Sequence, residues 1–326
     1  VGPHECDATA TFGAGMVMRA LHRKLLRDLW YIKGQVVAIS LVIAAAVAVY
    51  VMYLGAFESL RLTQTAYYSR YRFADVFAGL KRGPLSLEGQ IREIPGVAQV
   101  ALRVSAAVTL DIAGMSEPAM GRLVSIPPEP QPMLNDIFIR RGRYIDSERS
   151  NEVLINEGFA LAHGLEPGDT LSAVINGRRR RLEIAGIALS PEYLYTIRPG
   201  DIVPDDKRYG ILWMNRDELA AAFNMSGGFN DVALGLMPGA SEKDVISALD
   251  RLLDRYGGLG AIPRSLQLSH WDLNNELNQL QSFGVIIPLI FLGVAGVLLN
   301  VVLSRIVSVQ RGQIAALKVL GYTTLE

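Results

Sequence analysis

The sequence predicts an α+β membrane protein in which two transmembrane helices flank a large extracytoplasmic domain of mixed α/β structure. Three observations predict this class: an uncharged run from Gly34 to Phe57, a second run without formal charge between Glu276 and Arg305, and alternating helical and strand patterns between them. About 20 apolar residues cross the hydrocarbon core of a bilayer as a helix. A lone open strand would leave its amides unpaired in lipid, so both runs are predicted to be helices.

Composition excludes several classes of protein. The chain has 326 residues, half of them hydrophobic, and a formal net charge of zero, whereas a nucleic-acid binder carries an excess of basic residues. Cys6 is the single cysteine, which excludes an internal disulfide framework and a cysteine-rich metal site. The four histidines are widely spaced and lack the close pairing of a zinc motif. We therefore expect no metal, no cofactor and no nucleic-acid partner.

The N-terminal part is interpreted as a leader, a basic segment and the first membrane helix. Residues 1–17 lack periodicity and are predicted to be a disordered leader, and residues 18–34 form a basic cytoplasmic segment. The apolar core Val36–Leu54 is longer than the roughly 7–15 residues of a signal-peptide core. Transmembrane helix 1, residues 35–57, is therefore expected to stay uncleaved, and its aromatic end suits the membrane interface.

Basic residues on the flanks of both runs predict the orientation. Transmembrane helix 2, residues 283–304, is followed by a basic segment, residues 305–326, just as the first run is preceded by a basic segment. Short flanks rich in Lys and Arg remain in the cytoplasm. Both ends are therefore expected inside, and residues 58–282 on the outer side.

The outer domain is predicted to contain two βαβ-type halves of one sheet, with a small β-rich subdomain inserted at about residues 140–190. Helical patterns separate short segments that are rich in strand-forming residues. The predicted strands and hairpin arms are residues 75–80, 97–113, 152–155, 170–189, 210–214 and 232–236.

Local turn and cap residues support these elements. Asn176-Gly177 predicts a two-residue hairpin turn, because both positions need positive φ. Ser86 and Asn215 are predicted helix N-caps, and Glu218 stands at the capping-box distance from Asn215.

Residues 190–209 form a long loop rich in proline and tyrosine, and loops of this length are often functional. We predict that Tyr193, Tyr195 and Arg198 contact a substrate or an outer partner. The arginine run Arg178–Arg181 is interpreted as a solvated strand edge, with binding of an anion or a lipid headgroup as the alternative.

No catalytic pattern is found in the sequence. It lacks a glycine-rich phosphate loop, a Ser-His-Asp pattern and a Gly-x-Ser-x-Gly motif. The acidic residues of the loop 190–209 lack the ordered spacing of acid–base catalysts. We predict that the chain is not an enzyme and that its energy source is a partner.

Several segments resemble one family of membrane proteins. Arg311-Gly-Gln-Ile-Ala-Ala-Leu-Lys-Val-Leu-Gly321 follows the second helix, and Arg141–Tyr144, Glu152–Asn156 and Ala160–Asp169 lie in the outer domain. With the layout of the helices, these segments resemble the permease subunits of type VII ABC transporters, the MacB, LolC/LolE and FtsX-like permeases. The resemblance covers nearly all of residues 18–326 and corresponds to the N-terminal part of such a permease.

The sequence also departs from the family. Gln313 stands where the family has glutamate, and Ala315 stands where it has glycine. The family has four or more membrane crossings, whereas two are predicted here. The chain is therefore expected to be a fragment, or an N-terminal half that another polypeptide completes.

The resemblance implies a MacB-type periplasmic core domain and a non-catalytic permease in the bacterial inner membrane, which relays ATPase-driven motion to its outer domain. Implied partners are an ABC ATP-binding subunit, a second permease copy or half, a periplasmic adaptor protein and the lipid bilayer. The residues that the motif assigns to ATPase coupling are Arg311, Gln313, Leu317, Lys318 and Gly321. From spacing alone, the same segment also fits an interfacial helix that only anchors the second crossing.

Two other functions fit the layout. A two-helix extracytoplasmic sensor has the same topology, although the small residues and glycines after Ser304 differ from a signalling helix with heptads. An FtsX-like regulator of cell-wall hydrolases is the other alternative. The substrate stays open among lipid, lipoprotein, peptide and drug, so efflux and lipoprotein export are both compatible with the sequence.

Overall fold

The structure, a computed structural model, describes Arg27, Trp30 and residues 32–112, 114–201 and 203–319. Several sequence-predicted features therefore lie outside the described residues, wholly, in part or in their side chains. They are the leader 1–17, most of the basic segment 18–34, Gln313, Leu317, Lys318 and Gly321.

The chain forms two compact units. One combines Val1–Ser59 with Asn278–Glu326, and the other is Leu60–Leu277. The helices are α1 Lys33–Arg70, α2 Leu87–Arg92, α3 Glu157–His163, α4 Arg216–Ala222, α5 Glu242–Leu253 and α6 Leu268–Val319. Helices α1 and α6 each contain a stretch long and apolar enough to span a membrane. The predicted arrangement of two long apolar helices flanking a mixed α/β domain is confirmed.

A small four-stranded sheet and a large seven-stranded sheet make up the folded part of the unit Leu60–Leu277. The strands are β1 Val76–Pro84, β2 Val97–Arg103, β3 Ser105–Asp111, β4 Ala119–Ile126, β5 Phe138–Gly142, β6 Glu152–Asn156, β7 Thr170–Ile175, β8 Arg178–Leu189, β9 Tyr209–Asn215, β10 Gly228–Leu236 and β11 Gly258–Pro263. The small sheet has the order β11-β1-β10-β2 with all pairs antiparallel. With α2 between β1 and β2, and α5 between β10 and β11, this is the ferredoxin-like split βαβ arrangement.

The large sheet closes into a ring. Its order is β5-β8-β6-β9-β4-β3-β7, and β7 also pairs with β8. The twelve-residue strand β8 makes this closure possible, because its first half pairs with β7 and its second half pairs with β6. Six strands therefore form a barrel with β5 at its side, and closure removes open strand edges.

The inserted β-rich subdomain is larger than the sequence predicts. It runs from Ser105 to Asn215, and not over about 140–190, because β3, β4 and β9 belong to the same ring as β6, β7 and β8. The prediction that Gly210–Met214 opens the second half of one shared sheet is wrong, since β9 pairs with β4 and β6. Strand periodicity identifies a strand but not its partner, which is why this assignment failed.

The predicted hairpin turn is present, but only one of the two predicted N-caps, Asn215, makes a side-chain cap bond. Asn176 and Gly177 have φ of 47° and 76°, as the two-residue turn requires. Asn215 caps α4 by accepting a hydrogen bond from the Asp217 amide at 2.9 Å. Ser86 precedes α2 without a side-chain cap bond. Glu218 leaves the capping box incomplete because its carboxylate accepts the amide of Asn151, at 2.9 and 3.0 Å.

Four apolar clusters hold these layers together, and the smallest packs Leu134, from the loop between β4 and β5, against Phe77 of β1. One draws side chains from all six strands of the ring and includes Phe159 of α3, which is fully buried. A second covers the opposite face of the ring around Trp213, and a third lies between the small sheet and α2 and α5 around Phe229. Burying one such large side chain contributes about 1.5–3 kcal/mol, so both sheets have cores of their own.

Candidate functional site

The junction between the small sheet and the barrel holds a group of largely buried charges in the unit Leu60–Leu277, which we call the outer unit. The chain passes from β2 to β3 at Val104, whose amide donates to the Ser125 hydroxyl at 2.8 Å. The Ser105 amide donates to the Asn230 side-chain oxygen, also at 2.8 Å. Arg103, the last residue of β2, is only 9% exposed at this crossing.

Arg103 binds two carboxylates at the junction. Both terminal nitrogens of its guanidinium donate hydrogen bonds to the Glu192 carboxylate, at 2.5 and 3.0 Å. Its Nε donates to Asp231 at 2.6 Å, the residue directly opposite it in the β2–β10 register. Two-pronged guanidinium–carboxylate bonds are among the strongest hydrogen bonds in proteins. We call Arg103, Glu192, Asp231 and Asn135 the Arg103 cluster.

The electrostatics of this cluster follow from its burial. Burial opposes the charge on Arg103, but Asp231 and Glu192 outweigh it, so the pKa of Arg103 is raised well above its usual value. Burial also raises the pKa of Asp231, against the opposing effect of Arg103. Each charge is therefore tolerated here only because the others are present.

Asn135 joins the cluster to the chain that follows α1. Its side-chain amide donates to Glu192 at 2.6 Å, and its side-chain oxygen accepts the Ala74 amide at 2.8 Å. Its own backbone amide donates to the Arg72 carbonyl at 2.9 Å. Asn135 has φ of 55°, a conformation that asparagine tolerates better than most residues.

A second group of contacts lies where α1 ends and α6 begins, in the segments next to β1 and β11 of the small sheet. Arg264 donates to the carbonyls of Phe73 and Ala74, at 2.5 and 2.8 Å, and to the Asp75 carboxylate at 2.6 Å. The Tyr68 hydroxyl of α1 hydrogen-bonds the His270 ring of α6 at 3.1 Å. We call these two sets of contacts the helix clamp. All of its residues lie within the unit Leu60–Leu277.

A cleft of about 410 Å³ adjoins the Arg103 cluster. The small sheet forms one wall, through β1 and β11, and the loop 190–209 forms another. Residues 267–269, where α6 begins, complete the rim. Glu192 and Asp231 belong to both the cluster and the cleft lining.

The predicted contact residues of the loop have different environments. Tyr193 packs edge-on against Trp213 with ring centres 6.1 Å apart, and burial raises its pKa well above the usual value. Tyr195 lines the cleft, and its amide donates to the Ser269 hydroxyl at 3.1 Å. Arg198 lies farther along the loop in an ion pair with Asp201 at 2.9 Å. Tyr193 and Tyr195 thus come together at the cleft, which Arg198 does not line, and their predicted role in binding stays a prediction.

The other predicted segments are described only in part. Arg311 is exposed on α6, and its coupling role stays a prediction. Among the arginines that begin β8, Arg179 pairs with Asp111 at 3.1 Å and Arg180 with Glu218 at 3.6 Å. Asp111 belongs to β3 of the barrel and Glu218 to α4, directly after β9, so both arginines have a local structural role.

Sequence reasoning missed Arg103, Asn135, Asp231 and Arg264. A signal did exist for two of them, because Arg103 and Asp231 are single charges at or within strands that are otherwise mostly apolar. Charged residues are almost never buried without a partner, so two such strands indicate a buried pair. Asn135 lies in a loop between strands, where the sequence offers no comparable signal.

Comparison with known proteins finds likeness only at the level of structure. No family model matches the sequence, and no curated protein matches it. The extracellular domain of the noncanonic ABC-type transporter YknZ from Gram-positive bacteria is 12% identical, with a TM-score of 0.38, covering 58% of this chain and 98% of that domain. The periplasmic region of MacB from Actinobacillus actinomycetemcomitans is 9% identical, with a TM-score of 0.37, covering 63% of this chain and 92% of that region. At these scores the likeness carries no conclusion about function.

Replacing Arg103 is expected to destabilise the outer unit strongly. Arg103→Met removes the guanidinium that binds both Glu192 and Asp231 and leaves one carboxylate in excess over Arg122, and breaking a buried pair in this way costs about 3–5 kcal/mol. The measurement is the free energy of unfolding in urea, followed by tryptophan fluorescence of the whole chain in detergent.

Arg92→Met is the matched control for this measurement. It removes an exposed salt bridge to Glu88, with a nitrogen–oxygen distance of 2.6 Å. Such a salt bridge stabilises the folded state by less than about 1 kcal/mol. The double change Arg103→Met and Glu192→Leu is expected to recover part of the loss, because Asp231 then keeps Arg122 as its counter-charge. Equal losses for Arg103→Met and Arg92→Met would contradict a stabilising role of the cluster.

Proposed function

We propose that this chain is the membrane permease component of an ATP-driven transport or mechanotransmission system. In this proposal, motion produced by a separate ATP-binding subunit in the cytoplasm reaches an extracytoplasmic domain through the two long helices. The proposed membrane spans are residues 35–57 and 283–304. Residues 58–282 lie outside and the N-terminus lies in the cytoplasm. The proposed location is the inner membrane of a bacterial cell.

The helix clamp is the observation that carries the proposal. α1 ends at Arg70 and α6 begins at Leu268. The clamp bonds Tyr68 of α1 to His270 of α6, and it bonds Arg264, directly after β11, to the segment directly before β1. Arg264 alone donates hydrogen bonds to three consecutive residues, Phe73 to Asp75, which directly precede β1. A helix that shifts or rotates would therefore move the small sheet with it, rather than slide past it.

The long helices also favour a larger assembly. Little of either apolar stretch is buried within this chain, so their surfaces are left for lipid or for other helices. A second permease copy or half would supply such helices. This fits the family resemblance, in which two permease halves close together.

The energy source is assigned to a partner. In the residues that the structure describes, no group of three or more His, Cys, Asp or Glu side chains could hold a metal ion. The charged residues at the junction bind one another, which suits a structural role better than catalysis. An ABC ATP-binding subunit is the proposed partner on the cytoplasmic side, and an adaptor protein is the proposed partner outside.

Cysteine labelling tests the proposed topology. Because Cys6 is the only cysteine, Cys6→Ser gives a background for single probes at Leu161→Cys in the outer unit and at Val309→Cys on α6, where the native side chains are 64% and 78% exposed. A membrane-impermeant maleimide added to spheroplasts is expected to label position 161, and to label position 309 only after permeabilisation. The reverse pattern would contradict the orientation.

Affinity capture tests the proposed ATPase partner. The tagged chain, solubilised from the membranes of its own organism, is expected to retain an ABC ATP-binding subunit that mass spectrometry identifies. Arg311→Glu reverses a charge in the coupling segment and is expected to lose most of that subunit. Arg70→Glu reverses an exposed charge at the outer end of α1 and is expected to retain it. Recovery of a signalling kinase without an ATP-binding subunit would favour the sensor alternative.

The helix clamp is tested in the captured complex. ATP with Mg²⁺ is expected to change the maleimide labelling rate of Leu259→Cys on β11, and Arg264→Gln is expected to abolish this change while the ATP-binding subunit stays bound. Arg255→Gln is the control, because Arg255 is exposed and contacts only the neighbouring Tyr256 ring in the described contacts. A nucleotide response that survives Arg264→Gln would show that the clamp does not relay motion.

A further inference from the structure

We propose that the cleft beside the Arg103 cluster is a binding site for a small uncharged amphiphile, a molecule with an apolar body and one neutral polar end. The inference goes beyond the proposed function, because binding at equilibrium needs neither the ATPase nor membrane orientation. It rests on four features of the cleft: its size, its apolar wall, its paired polar groups and its charge balance.

The cleft has the size and the wall of a small-molecule site. Its volume of about 410 Å³ falls within the range of about 300–1,000 Å³ that ligand clefts occupy. Side chains of β1 and β11 supply the apolar wall, with Leu268 at the start of α6. Leu259 and Ile262 of β11 are 75% and 38% exposed, so apolar surface is available to a ligand without unfolding.

Most polar side chains of the lining are already engaged. The Thr196 hydroxyl donates to Asp206 at 2.7 Å, and the Asn230 amide donates to the Ser105 carbonyl at 2.8 Å. Gln267 donates to the Glu192 carbonyl at 2.7 Å. Groups that are paired within the protein offer little to a strongly polar ligand, because each new bond would replace an existing one.

The charges of the cleft balance. Glu192 and Asp231 line it, Arg103 binds both from behind, and Arg122 lies in the lining beside Asp231. Two guanidinium groups therefore face two carboxylates. A charged ligand would compete with these pairs or be buried without a partner, which is costly, whereas an uncharged ligand disturbs none of them.

One end of the cleft can recognise a neutral polar group. Arg122 lies beside Tyr193 and Tyr209, and all three line the cleft. A guanidinium and phenol hydroxyls donate hydrogen bonds, so a carbonyl, ether or hydroxyl oxygen is the acceptor that this end suits. The polar end of the ligand is therefore assigned to the Arg122 side and the apolar body to the β1 and β11 side.

Protection of a cysteine tests the site without any nucleotide or partner. The whole chain with Cys6→Ser and Leu259→Cys is reconstituted in nanodiscs and labelled with maleimide in the presence of 2-naphthol, an uncharged amphiphile whose hydroxyl oxygen accepts hydrogen bonds. We expect saturable protection that slows labelling by about fivefold, since a cleft that encloses about 80% of its ligand leaves little of the wall open. The same probe is expected to leave Leu161→Cys unprotected, because Leu161 lies on α3 and outside the cleft lining.

Two comparisons decide the ligand class and the place. 6-Hydroxynaphthalene-2-sulfonate has the same ring system and hydroxyl group with an added sulfonate and is expected to protect position 259 poorly. Ile262→Trp fills the wall and is expected to raise the half-protecting concentration about tenfold, the effect of losing about 1.4 kcal/mol of binding free energy. Leu266→Trp is its control, since Leu266 is 62% exposed and outside the lining.

Three outcomes would overturn the inference: no protection at position 259, equal protection by the sulfonate, or equal protection at position 161. None of them bears on capture of an ATP-binding subunit, so this failure and a failure of the proposed function are distinguishable.

Discussion

The bonds of Arg103 with Glu192 and Asp231 are the interaction on which the outer unit depends. Arg103 and Asp231 lie on adjacent strands of the small sheet, while Glu192 follows β8, the strand whose pairing with β7 closes the barrel. The two sheets have separate main cores and a small apolar cluster around Leu134 between their segments, so polar contacts must help to fix their relation. A buried, directional ion pair can do so, because each member is stable only in the presence of the others.

The same cluster joins the structural features that the proposed function needs. Asn135 connects Glu192 to the chain after α1, and Gln267 connects the backbone of the same residue to the start of α6. Glu192 is therefore a common neighbour of both helix ends and of the cleft. A permease that transmits motion requires such rigid connections between its helices and its outer domain, and a cleft lined by them would respond to that motion.

Much of the fold was accessible from periodicity and turn chemistry. The two apolar helices, the Asn176-Gly177 hairpin and α3 with Gly164 after it follow from local patterns. The candidate site was accessible only in part: Tyr193 and Tyr195 were singled out from the character of the loop, but as surface contacts, and burial of Tyr193 against Trp213 was not foreseen. Ser86 and Glu218 show that a correct cap spacing does not ensure a cap bond, and for Glu218 the amide of Asn151 is the competing partner.

The sequence by itself determined the two long apolar helices, the positions of most strands and the lack of a catalytic motif, because these depend on residues that lie close together along the chain; β4, β5 and β11 were not among the predicted strands. Only the tertiary structure decided that β9 joins the barrel, that β10 joins the small sheet, and that Arg103 meets its carboxylates. Those partners are 89 and 128 positions away along the chain. Contacts at that separation follow from how the two sheets close and pack, which no local pattern encodes.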